Sequence, residues 1–76
     1  MNTRTKFSKA LIVCRVTLGL SQKKFSKLVN ANYVSICHWE TGKRSPSVKH
    51  IAKLAEILKL TPLELFDMIE EDEKSI

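Results

Sequence analysis

Residues 30–46, NANYVSICHWETGKRSP, decide how this chain folds. Asn30-Ala31-Asn32 reads as a three-residue turn, because Asn tolerates the left-handed backbone and Asn32 can cap the next helix. Tyr33–Thr41 then reads as a short helix and Gly42 as its left-handed stop. At about 100° per residue, Ile36 and Trp39 point one way, with Glu40 on their flank. Val34, Cys37, His38 and Thr41 point the other way, and Tyr33 leads from the edge. A solvated face would carry Glu, Lys, Gln or Arg, whereas this one has no formal charge. Such a face suits contact with another molecule, and two cations, Lys43 and Arg44, come directly after it on a short loop.

On either side of this stretch, the punctuation predicts four more helices and no strand. The first spans about Lys6 to Leu18, with Leu11, Cys14 and Leu18 at helical spacing and Gly19 as its stop. The second is capped by Ser21 and reaches about Val29, with Phe25, Leu28 and Val29 as its inner stripe; Leu20 and Phe25 have the spacing of a hydrophobic staple. The fourth covers about Ser47–Lys59, with Val48, Ile51, Leu54, Ala55 and Leu58 inward. The fifth opens on Thr61-Pro62-Leu63-Glu64, a capping box with Pro at the first helical position and Leu60 and Leu65 placed to staple it. The expected class is therefore all-α.

At 76 residues and 43% apolar composition, the chain has the profile of one small globular domain. It contains no apolar run of membrane-span length, and no signal-peptide pattern opens it, so a cytoplasmic protein away from membranes is expected. Cys14 and Cys37 are then expected as reduced thiols. Cys14, Cys37, His38 and His50 match no compact zinc spacing, so neither a metal nor another cofactor is expected. Charge is segregated: residues 1–50 hold ten bases and one acid, Glu40, while residues 51–76 hold three bases and seven acids. The halves thus carry +9 and −4. A polyanion is drawn to the first half and repelled by the acidic end.

These features fit a DNA duplex. A helix is about as wide as the major groove, where its outward face can meet base edges. Tyr33, Val34, Cys37 and His38 are the expected base contacts, through thymine methyls for Val34 and Cys37 and hydrogen bonds for Tyr33 and His38. Gln22, Asn32, Thr41, Lys43 and Arg44 are the expected phosphate contacts, Gln22 together with the backbone N–H groups opening the second helix.

Taken together, these residues carry a family resemblance. Arg15, Leu18-Gly19-Leu20-Ser21-Gln22, Ile36, Trp39-Glu40, Gly42-Lys43, Pro46 and the Leu54-Ala55…Leu58 stripe are similar to the phage repressor and Cro type (Xre-like) of helix-turn-helix DNA-binding domain. The resemblance covers about residues 8–66 and implies a five-helix, lambda-repressor-like fold with the helix-turn-helix at 21–42. It implies that the third helix reads the major groove and that Arg15 and Glu40 form a largely buried ion pair. Three positions depart from the pattern. Ser26 replaces a small Ala. Lys59 stands where a Gly commonly ends the fourth helix, and a left-handed Lys costs about 1 kcal/mol. The reading face lacks the Gln, Asn or Arg of bidentate base contacts, so specificity is expected from methyl contacts, His38 and DNA shape.

The organisation expected is a DNA-binding domain over residues 1–69 and an acidic C-terminal tail at 70–76. In the fifth helix, Leu63, Leu65, Phe66, Met68 and Ile69 cover more of the circumference than one core contact needs. Phe66, Met68 and Ile69 are therefore expected at a two-fold homodimer surface. The function expected is a sequence-specific transcriptional regulator, a repressor, with double-stranded DNA as partner. The alternative is an antitoxin-type module that neutralises a partner protein and binds DNA secondarily. An enzyme is not expected, since no nucleophile–base set, carboxylate pair or phosphate-binding Gly loop is present.

Overall fold

The computed structural model describes the backbone of residues 5–74 and the side chains of residues 5–70. Its five helices are, in order, α1 (Lys6–Thr17), α2 (Gln22–Val29), α3 (Tyr33–Thr41), α4 (Val48–Leu58) and α5 (Pro62–Lys74). Among the described residues there is no strand. α5 continues through Glu70 to Lys74, so the acidic residues at its end prolong the helix. α1 packs against α3, α4 and α5, while α2 packs against α3 and α4, and α4 against α5.

Helix ends are set locally. α1 to α4 each finish on a left-handed residue, namely Gly19, Asn30, Gly42 and Lys59. In each case an amide two or three residues past the helix reaches back five residues; Ala31 N, for example, donates to Ser26 O at 2.9 Å and Leu60 N to Ala55 O at 2.8 Å. Ser21 and Asn32 cap α2 and α3 through their side chains. Thr61 and Glu64 form the capping box of α5, and the Thr61 backbone N–H holds the Glu64 carboxyl below its ordinary range. A second box, not expected from the sequence, joins Thr5 and Ser8 at the start of α1: Ser8 N donates to Thr5 Oγ1 and Thr5 N to Ser8 Oγ.

Lys59 has φ of 60° with no glycine to relieve it. Lys59→Gly is expected to raise stability by about 0.5–1 kcal/mol, the relieved strain exceeding the added freedom of the unfolded chain. A thermal melt followed by circular dichroism checks this, and a lower Tm would mean the lysine side chain contributes more than its backbone costs.

The core joins Phe7 and Leu11 of α1, Phe25 and Val29 of α2, Ile36 and Trp39 of α3, Ile51, Leu54 and Ala55 of α4, and Leu65 and Ile69 of α5. Leu20 and Leu60 lie half-buried against it, as their staple positions require. Three expected inward residues are corrected. Leu18, Leu28 and Val48 are exposed, Val48 at 82%. Leu18 and Val48 stand at helix termini, one past the last turn of α1 and one opening α4, beyond the stretch where a neighbouring helix covers them. Ser26 is buried in place of an alanine, and its hydroxyl is satisfied by donating to Lys23 O at 2.6 Å.

Candidate nucleic-acid interface

α3 is held from its inner side by a polar chain with Glu40 at its centre. Arg15, in the last turn of α1, meets the Glu40 carboxylate with two nitrogens: Nε donates to Oε2 at 2.6 Å and Nη2 to Oε1 at 3.1 Å. Arg15 Nη1 also donates to Leu20 O at 2.9 Å, fastening the α1–α2 junction to the same group. The Glu40 side chain keeps only 4% of its surface exposed, and its hydrogen bond raises the Arg15 guanidinium above its ordinary value. The ion pair implied by the resemblance is therefore present.

Gln22 completes this chain. Its Nε2 donates to Glu40 Oε1 at 3.1 Å, and its Oε1 accepts from Cys37 Sγ at 3.6 Å. The side chain at the head of α2 thus ties α2 to α3 from two positions three residues apart. This brace was not expected from the sequence, since the pairing spans 15 and 18 residues and depends on the angle between the helices.

On the outward arc, Tyr33 and Val34 are exposed at 41% and 53%, and Cys37 and His38 are half-buried. Ile36, Trp39 and Glu40 fill the inward arc. The structure thus brings the four expected base-contact residues to one side of α3. The Cys37 sulfur raises the Tyr33 phenol above its ordinary value through a hydrogen bond. Lys23 of α2 places its Nζ 5.8 Å from the Tyr33 ring centroid, a cation–π contact across the turn.

Of the expected phosphate residues, Lys43 and Arg44 are exposed just past α3, and the backbone amides of both donate to His38 O. Asn32 is exposed and uses its Oδ1 to cap α3 at Val34 N, 2.8 Å away. Thr41 is exposed, with its hydroxyl donating back to Cys37 O at 3.0 Å. Gln22 is half-buried and turned towards Glu40 and Cys37. In α5, Phe66 is 45% exposed, Met68 is half-buried against the core, and Ile69 lies within the core at 7%.

Cys14 and Cys37 are free thiols. Burial pushes the Cys14 thiol up, and its Sγ donates to Ile57 O at 3.7 Å. Among the described residues, no three His, Cys, Asp or Glu side chains are grouped to hold a metal ion. Nor is any described helix long and apolar enough to cross a membrane.

Two helices joined by a three-residue turn, the second clamped inside and uncharged outside, define a helix-turn-helix unit. A helix-turn-helix family model matches residues 11–65, and the chain belongs to that family of DNA-binding transcription regulators. A solved structure similar to it is that of the restriction-modification controller protein C.AhdI from Aeromonas hydrophila. It shares 34% identity, covers 80% of this chain and 92% of its own, and superposes with a TM-score of 0.66. No curated protein sequence matches the chain.

Proposed function

We propose that this chain is a sequence-specific, double-stranded DNA-binding repressor that inserts α3 into the major groove and works in the cytoplasm as a homodimer. The observation that carries the reading is the division of α3 into two sides. One is anchored by Arg15, Gln22 and Glu40; the other presents Tyr33, Val34, Cys37 and His38 without a charge. Val34 and Cys37 meet thymine methyls, and Tyr33 and His38 hydrogen-bond base edges. Lys43 and Arg44 neutralise phosphates, with Asn32 and Thr41 at the two ends of α3. The Gln22 amide offers its second N–H to a phosphate, beside the first amides of α2. The likeness to a restriction-modification controller supports the regulator reading. Phe66 and Met68, with exposed Leu63, form the dimer surface, and Ile69 underlies it.

Selection from a random duplex pool tests this. Enrichment of two related half-sites about one helical turn apart is expected. Binding that depends steeply on salt, with no enriched sequence, would overturn sequence reading by α3. Within the selected site, Val34→Ala and His38→Ala are expected to change base preference at separate positions. Lys43→Ala weakens all duplexes alike and lowers the salt slope by about 1. Unchanged preference in both reading-face variants, measured by competition binding, would show that another face reads the bases.

A further inference from the structure

We propose that Lys23, on α2, is a positioning residue for base recognition: it holds the Tyr33 ring in the orientation in which that side chain meets the duplex, and so sharpens the base preference of α3. This inference rests on the chain reading duplex DNA with Tyr33, and it adds a residue of α2 to the groups that set specificity. Lys23 Nζ lies 5.8 Å from the centroid of the Tyr33 ring. The two residues stand on the two helices of the helix-turn-helix, so the contact ties the supporting helix to the leading end of the reading helix.

Tyr33 needs such a hold. A helical side chain normally lies over the turn before it, but Tyr33 is the first residue of α3 and is 41% exposed. Its hydroxyl end is held one turn along the helix by the Cys37 sulfur. Cys37 in turn donates its thiol proton to Gln22 Oε1 at 3.6 Å. The Gln22 amide cannot turn round, because its Nε2 faces the Glu40 carboxylate, which only accepts. Lys23 then meets the ring itself. Two consecutive residues of α2 thus fix Tyr33, Gln22 at the hydroxyl end through Cys37 and Lys23 at the ring.

The charge of Lys23 has little other purpose within the fold. Its ammonium meets no carboxylate among the described residues. The first turn of α2 holds no acid, and a cation there is opposed by the helix dipole. The negative face of the Tyr33 ring offsets part of that opposition. The consequence for binding has a definite sign. A ring fixed in advance rewards the base pair that fits it and cannot re-aim for the others, so discrimination exceeds what a free ring would give. An exposed contact of this kind corresponds to about a two- to fivefold change in an equilibrium constant.

The test is competition binding of the full chain to its selected duplex and to that duplex changed at each position in turn. Tyr33→Ala identifies the base pair that Tyr33 reads. Lys23→Met is expected to relax preference at that base pair by about two- to fivefold, and to leave the positions read by Val34 and His38 as they were. Lys23→Arg keeps the preference, because a guanidinium also stacks on an aromatic face. Lys24→Met removes the neighbouring exposed charge and leaves preference unchanged. Combined with Tyr33→Ala, Lys23→Met should relax nothing further. A uniform loss over all duplexes, with the salt slope lower by about 0.9 and preference intact, would make Lys23 a phosphate contact and overturn the proposal. Equal relaxation by Lys23→Met and Lys24→Met, or no base pair sensitive to Tyr33→Ala, would overturn it too while leaving the DNA reading in place. No enriched sequence at all would overturn both. NMR of the free chain checks the contact without DNA: the Lys23 ε-methylene protons should lie upfield of their ordinary position and return to it in Tyr33→Ala. Ordinary shifts in the unmodified chain would overturn the hold on the ring.

Discussion

Glu40→Ala is expected to lower stability by about 3 kcal/mol, the lower end of the usual 3–5 for breaking a buried pair. The lower end applies because Arg15 keeps 18% of its side chain exposed, so water partly replaces the lost carboxylate. The guanidinium retains Leu20 O, while the Gln22 amide loses the acceptor that braces α2 against α3. A domain of this length holds roughly 4–11 kcal/mol in all, at about 0.05–0.15 per residue. The variant therefore remains folded at low temperature and melts early. Urea titration should show a lower midpoint at constant m. The double variant Arg15→Met with Glu40→Met recovers part of the loss, because no charge is stranded. Recovery stays incomplete, since Leu20 O and the Gln22 amide each lose a partner. A double variant no better than Glu40→Ala would mean that the α1–α3 contact depends on hydrogen-bond direction more than on stranded charge.

Phe25→Ala is the second large effect, at about 3–5 kcal/mol. Phe25 is fully buried in the core, and truncation leaves a cavity among its packed neighbours. At about 4–8 °C per kcal/mol for a domain of this size, Tm falls by roughly 12–40 °C. Phe25→Leu, closer in volume, costs about 1–1.5 kcal/mol. The informative comparison lies three residues along the same helix. Leu28 shares the apolar spacing of Phe25 but is 43% exposed, and Leu28→Ala should stay within about 0.5 kcal/mol. Paired thermal melts decide the matter. A larger loss at Leu28 than at Phe25 would require α2 to be rotated about its axis from the orientation described.

Reading the residues in order succeeds at the helix ends. The caps and stops at Ser21, Asn30, Asn32, Gly42 and Thr61 were legible because their hydrogen bonds close within a few residues. The left-handed Lys59 follows from the resemblance, in which a Gly commonly stands at that position. Thr5-Lys6-Phe7-Ser8 carries no such signal, because Ser occupies the third helical position, where Glu or Gln marks a capping box. Its hydroxyl nevertheless closes the same pair of bonds.

Periodicity settles which side of a helix is apolar but not whether another helix lies over each apolar position. Leu18, Leu28 and Val48 obey the spacing and remain exposed, whereas Ile69, assigned by breadth of apolar surface to an outer face, lies within the core. On α3 the two-sided division was legible because Ile36, Trp39 and Glu40 separate cleanly in angle from Val34, Cys37 and His38. The resemblance pointed to the partner of Glu40, and the residues in between could not have done so.

Local chemistry along the chain thus determined the five helices, their ends and the uncharged outward side of α3, because each depends on groups within about one turn of one another. Tertiary packing alone decided that Gln22 braces Glu40 and Cys37, and that His50 stands edge-on to Trp39 beside Arg44. Those contacts join residues on different helices, and their distances are set by how the helices cross, a quantity that no local spacing encodes.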